Sequence, residues 1–135
     1  MLCTSRYVFL CVACLAFLTG CSDPAAKYVG SYTGTIDLSG QLKKKAEAAG
    51  PAAMELVKAA KATLNLKEDK TYDVTFTMFG KNESESGNWS AAETVLTLKA
   101  TSKDKVGSGG AKLSANEDGT LIWRNASVTI TFTKS

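Results

Sequence analysis

From Thr71 to Phe79, polar and apolar side chains change places at every residue. Tyr72, Val74, Phe76 and Met78 alternate with Asp73, Thr75 and Thr77. Successive side chains of an extended strand point to opposite faces, so this pattern buries one face and wets the other. The same period recurs along the chain. Tyr28, Tyr32, Ile36 and Leu38 share a face with Gly30 and Gly34, opposite Val29, Ser31, Thr33, Thr35 and Asp37. Glycines on an inner face point to sharp bending or to close approach of another segment. Leu64 with Leu66, Leu96 with Leu98 and Ala100, Ala111 with Leu113 and Ala115, and Val128 with Ile130 and Phe132 repeat the alternation. Gly87-Asn88-Trp89 starts another strand, and Leu121-Ile122-Trp123 is a short one. Turn signals fall between them at Glu68-Asp69-Lys70, Ala91-Ala92-Glu93, Asn116-Glu117-Asp118-Gly119 and near Asn125. Gly80 to Ser86 reads as a polar loop, and Ser102 to Gly110 as a glycine-rich connection. About eight short strands with regular turns predict a mainly β fold, a small closed or nearly closed antiparallel barrel.

One segment breaks the period. Residues 41–62 hold eight Ala, five Lys and two Glu, with no aromatic residue. Leu42, Ala46, Ala49, Ala53, Val57 and Ala60 recur at spacings of three and four, the signature of one helical stripe. Gly50-Pro51 interrupts it, since Gly suits a helix end and Pro a first helical turn. Two short helices or one kinked helix are expected after the first strand. Their alanine stripe predicts light packing over one barrel mouth. Lys43, Lys44 and Lys45 offer the sharper alternative of a helix facing anionic headgroups or a partner.

The N-terminus has a different character. Arg6 precedes a 12-residue apolar run, Tyr7 to Leu18. Twelve is short of the roughly 20 residues that span a bilayer and within the range of a secretory apolar core. Leu18-Thr19-Gly20-Cys21 closes the run and resembles a lipobox: a Leu, two small residues, then a Cys that receives a diacylglyceryl group and becomes the first mature residue. The resemblance implies a signal peptide over 1–20, cleavage between Gly20 and Cys21, lipid on Cys21, a tether over 21–26 and one domain over 27–135. An ordinary signal peptide cut at a small residue is the alternative. Ser22, after the lipidated Cys, implies the outer membrane facing the periplasm. Cleavage would remove Cys3, Cys11, Cys14 and Arg6, leaving 15 basic against 13 acidic residues. That balance argues against a dedicated nucleic-acid binder.

A second resemblance covers Lys27 to Ala100. Tyr32-Thr33-Gly34-Thr35, Leu64-Asn65-Leu66, Glu68-Asp69-Lys70-Thr71-Tyr72, Gly87-Asn88-Trp89 and Leu96-Thr97-Leu98 follow one another in an order similar to that of the lipocalin-like barrel in copper-resistance (NlpE-type) lipoprotein N-terminal domains. Those domains often carry a Cys-x-x-Cys after the first strand. Here the Ala/Lys segment stands in its place, so copper and redox roles do not carry over.

Few residues invite chemistry. The chain has no His, which removes the commonest general base and metal ligand. With Cys21 lipidated, no thiolate remains for a zinc or copper site. No metal or cofactor is expected. Asn116-Glu117-Asp118-Gly119 lacks the alternating ligands and late Glu of a calcium loop and reads as a β-turn. Gly107, Gly109, Gly110 and Lys112 do not have phosphate-loop spacing. Glu83 and Glu85 are the closest carboxylate pair, and their place in a polar loop predicts that both stay solvated. No enzymatic activity is expected.

Two binding functions remain. A membrane-anchored, non-enzymatic envelope module would meet a protein partner through Lys43, Lys44, Lys45 and the outward-facing Phe79. Alternatively, Tyr28, Tyr32, Tyr72, Phe76, Trp89 and Trp123 line a pocket for a small apolar ligand, with the helix as a lid. An eight-stranded barrel is just wide enough for its own side chains to fill. Phe132 joins these aromatics on the inner faces, so size favours a filled interior.

Overall fold

Each strand pairs antiparallel with the next, and the last returns to the first, closing an eight-stranded barrel. The structure is a computed structural model that describes residues 23–101 and 110–135. The signal segment, Gly20, Cys21 and most of the glycine-rich connection lie outside the described residues. The order is a 3-10 turn (Ala26–Tyr28), β1 (Gly30–Leu38), α1 (Gly40–Ala48), α2 (Pro51–Lys58), β2 (Lys61–Leu66), β3 (Thr71–Met78), β4 (Lys81–Ala92), β5 (Val95–Ala100), β6 (Ala111–Ala115), β7 (Leu121–Arg124) and β8 (Val128–Lys134).

Three boundaries differ from the sequence reading. Tyr28 belongs to the 3-10 turn rather than to β1. The helical insertion, expected over 41–62, ends at Lys58, and Lys61 and Ala62 open β2. The largest correction is the supposed loop Gly80 to Ser86. Phe79 and Gly80 alone make the turn, both at positive φ (53° and 72°). This is the mirror-type hairpin turn whose twist matches that of the flanking strands. It sets Met78 opposite Lys81 and runs the ladder unbroken to Thr71 opposite Asn88. Thr75 and Ser84 share a hydrogen bond of 3.0 Å, and the Thr77 hydroxyl donates to Asn82 at 2.9 Å. Polarity misled because a strand needs its partner's backbone more than it needs apolar side chains.

Two hairpins of the opposite end use one turn design. Thr71 donates its backbone N–H and hydroxyl to Asp69, and Thr120 does the same to Asp118. Each turn places a residue at positive φ, Lys70 (67°) in one and Gly119 (86°) in the other. In both, these hydrogen bonds lower the aspartate pKa from its ordinary value.

The register divides the interior into two halves. Call the end holding the 3-10 turn, the β2–β3, β4–β5 and β6–β7 turns and Lys134 the floor. The other end, holding the helices and the β3–β4 and β7–β8 turns, is the mouth. Tyr32, Leu64, Leu66, Tyr72, Trp89, Leu96 and Leu121 fill the floor half and are 0 to 3 % exposed. The inward residues nearest the mouth, Phe76, Met78, Trp123 and Val128, are only half-buried. Neither helix has a buried residue, and Leu42 and Leu56 are exposed. The alanine stripe therefore packs lightly, as its small side chains dictate.

Candidate functional site

The interior is not filled throughout. A cavity of about 250 Å³ occupies the mouth half, bounded by β3 to β8. It exists because the inner faces narrow there to small residues: Ala100, Gly110 and Ala111 stand where bulky side chains would close the space. Val74, Leu98, Leu113 and Ile130 supply its aliphatic wall, and Phe76, Trp123 and Phe132 its rings. Gly34 lets the Phe132 ring lie against β1, since a Cβ there would sit 2.8 Å from Phe132 Cε1 and 3.0 Å from Ala62 Cβ. No helix residue is among those that line the cavity. The helices stand at the mouth without forming its wall, so the lid expected of them is not built into the described cavity.

One ionisable group enters this apolar space. Glu85, opposite Val74 on the inner face of β4, lines the cavity and is half-buried. The Tyr72 hydroxyl rises from the floor and donates to Glu85 Oε1 at 2.7 Å. Burial pushes the Tyr72 hydroxyl far above its ordinary titration range, and the bond to Glu85 adds to the shift. Glu85 was expected to stay solvated in a loop. Its exposure changed because β4 starts at Lys81, which turns every second residue inward. Two residues further along that face, Gly87 lets β5 approach: a Cβ there would lie 2.0 Å from the Lys99 carbonyl oxygen.

The six aromatic candidates separate into three groups. Phe76 and Trp123 line the cavity. Tyr72 lies beneath it and touches it only through the hydroxyl on Glu85. Tyr28, Tyr32 and Trp89 belong to the floor, where their polar ends are already engaged. Trp89 Nε1 donates to the Lys67 carbonyl at 3.0 Å, Tyr32 to that of Tyr28 at 2.7 Å, and Tyr28 to that of Glu93 at 2.8 Å. Burial, then the neighbouring Tyr28, raises the Tyr32 pKa. Lysines lie over these rings, Lys27 at 4.9 Å from Tyr28 and Lys70 at 4.6 Å from Trp89. A second hollow of about 430 Å³ lies outside the floor, between Tyr28, Lys134 and the β6–β7 turn. It is the larger of the two, and the β6–β7 turn and exposed charged residues frame it together with Tyr28 and Tyr32.

Lys43, Lys44 and Lys45 are exposed on α1, and Phe79 is 60 % exposed at the tip of the β3–β4 turn. All four stand at the mouth end. Among the described residues, no three His, Cys, Asp or Glu side chains come together as metal ligands would. Asp118 is spent on its own turn.

No protein-family model matches the chain, and no curated protein sequence matches it. Solved structures similar to it include a lipocalin-like protein from Bacteroides uniformis, with 11 % identity, a TM-score of 0.45, and coverage of 81 % of this chain and 99 % of that one. Another is the REP1-NXSQ fatty acid transporter, with 12 % identity, a TM-score of 0.44, and coverage of 82 % and 98 %. A third is fatty-acid-binding protein 1 of Echinococcus granulosus, with 11 % identity, a TM-score of 0.42, and coverage of 81 % and 98 %. These three are a lipocalin-like protein, a fatty acid transporter and a fatty-acid-binding protein.

Proposed function

We propose that this protein is a non-enzymatic binder of a small apolar ligand, held in the bacterial envelope by lipid on Cys21. The cavity carries the reading. An apolar void of about 150 Å³ takes up benzene, so about 250 Å³ suits a molecule of one or two rings. Aliphatic and aromatic walls with one polar group are the usual composition of a small-molecule site. Saturable binding of 1-methylnaphthalene, followed by tryptophan fluorescence, is the expected result. Ala111→Phe, which fills the space, abolishes it. Binding that survives Ala111→Phe unchanged, or no binding by the wild type of this probe or of its amine and carboxylate counterparts, sinks the proposal.

The anchor rests on the lipobox-like Leu18-Thr19-Gly20-Cys21, and the outer-membrane, periplasm-facing address on Ser22. Each buried methylene contributes about 0.8 kcal/mol, so two or three acyl chains hold where one is marginal. Palmitate labelling that is equal in wild type and Cys21→Ser rules lipidation out. The start of the described chain adds an orientation. Asp23 pairs with Lys70 and accepts the Ala25 N–H, and Ala25 is buried, so these two residues are held at the floor. Cys21 is two residues upstream, within about 7 Å at full extension. A lipid there seats the floor on the bilayer and turns the mouth away from it. Lys43, Lys44 and Lys45 then point away from those headgroups, which disfavours the membrane-facing helix.

One observation favours a protein partner at the mouth as a second role. Phe79 holds a bulky ring in solvent at positive φ (53°), a conformation that such a residue rarely adopts without a reason. Photocrosslinking from position 79 in cells captures an envelope protein if this role exists; no captured protein excludes it.

A further inference from the structure

The cavity's one charge has a sign, and it is negative. Among the described residues that line it, Glu85 is the only ionisable one; no Lys or Arg is present. No described cation pairs with Glu85, whose one side-chain partner is the Tyr72 hydroxyl at 2.7 Å on Oε1. That bond fixes one carboxylate oxygen at the wall of a cavity also lined by the rings of Phe76, Trp123 and Phe132. A fatty acid or other anionic amphiphile would bring a second negative group beside Glu85 in surroundings that screen charge poorly. A protonated amine meets the reverse: a carboxylate to accept its N–H bonds, and ring faces that attract cations.

Taking the cavity as a ligand site, we propose that its ligand class is the apolar amine: one or two rings, or a short hydrocarbon chain, carrying a single protonated amino group that docks on Glu85. Size follows from the cavity, and polarity from the pairing of one carboxylate with rings on an otherwise apolar wall. Tyr72 acts as a positioning residue, holding Glu85 Oε1 and leaving Oε2 to the ligand.

Three probes of similar shape separate the possibilities on the purified full-length protein: 1-naphthylmethylamine, 1-methylnaphthalene and 1-naphthoate. Titration calorimetry is expected to rank them amine, hydrocarbon, acid, with the amine about tenfold tighter than the hydrocarbon, as one charge-assisted hydrogen bond supplies. Glu85→Gln keeps the shape and the acceptor for Tyr72. It is expected to erase the amine's advantage while leaving hydrocarbon affinity in place. Glu68→Gln, in the β2–β3 turn at the far end, keeps the advantage. An acid that binds as tightly as the amine, or an amine preference that survives Glu85→Gln, overturns the inference and leaves the cavity reading standing. If none of the three probes binds, both fall together.

Discussion

The two ends of this barrel are made of similar residues and behave differently. The floor closes with Tyr28, Tyr32, Tyr72 and Trp89, each buried and each with its polar atom hydrogen-bonded. At the mouth the rings of Phe76 and Trp123 stand half-buried around open space. Tyr and Trp carry a polar handle that locks a ring in place once satisfied; Phe76 has none, and the locked indole is Trp89 at the floor. The floor is also where the first described residue is tied down, Asp23 to Lys70. The difference teaches that one end carries stability, which frees the other to keep a void.

That division can be broken by exchange of the same kind of damage between ends. Leu66 at the floor is 1 % exposed, and Leu66→Ala should cost about 3 kcal/mol, the transfer and cavity cost of a core leucine. Met78→Ala at the half-buried mouth should cost about 1 kcal/mol, since water already reaches the site. Urea unfolding of both variants measures the contrast; equal losses would mean the interior is one uniform core. Gly34→Ala joins the halves. Its Cβ meets the Phe132 ring and Ala62, and the displaced ring has the cavity to enter. A loss of about 2 kcal/mol from overpacking is expected, together with loss of 1-methylnaphthalene binding. Intact binding would show that the ring yields in another direction.

Tyr72 links the halves chemically. Tyr72→Phe removes a hydrogen bond to a carboxylate, a loss of about 1.5 kcal/mol at neutral pH. The wild type should also show an alkaline weakness. Because the folded-state pKa of Tyr72 is raised by burial and by Glu85, only the unfolded chain releases that proton near pH 10. The unfolded state then binds fewer protons, and stability falls as pH rises past that point, whereas it is fully present below it. Tyr32, also raised, acts in the same direction. Urea midpoints from pH 8 to 11 should fall less steeply in Tyr72→Phe than in the wild type. Parallel slopes would mean that Tyr72 ionises in the folded barrel as readily as in the unfolded chain.

Much of this architecture is legible in the residues because period two is unambiguous. Tyr72, Val74, Leu96, Leu98, Leu113, Ile130 and Phe132 all face inward as their alternation requires. What stayed hidden was Lys81 to Ser86. It has the polarity of a loop, and only its pairing with β3 makes it a strand. Glu85 was lost with it. The available signal was Phe79-Gly80: a glycine immediately before the polar run suits a hairpin turn, and counting inward from Trp89 by twos reaches Gly87 and then Glu85. The cavity was hidden for a different reason. Whether an inner face is filled depends on which residues meet across strands, and the sequence does not show that Ala100 lies opposite Gly87 or Ala111 opposite Leu98.

The smallest expected effect is the most specific to the mouth. Lys70 and Phe79 both hold positive φ in hairpin turns. Lys70, at the floor, is compensated by the ion pair with Asp23 and by its ammonium lying over Trp89. Phe79 gains nothing comparable, because its ring is 60 % exposed. The mirror-type turn it occupies favours Asn before Gly. Phe79→Asn should therefore stabilise the barrel by about 1 kcal/mol, the relief of a left-handed bulky residue. The same change at Lys70 should yield no gain, since it removes the compensating contacts. Thermal melts of the two variants test the pair. A stabilised Phe79→Asn that has lost its crosslinked partner would mark the ring as retained for contact at some cost to the fold. An unchanged melting temperature would instead mean that the turn carries no strain and that the mouth is no less relaxed than the floor.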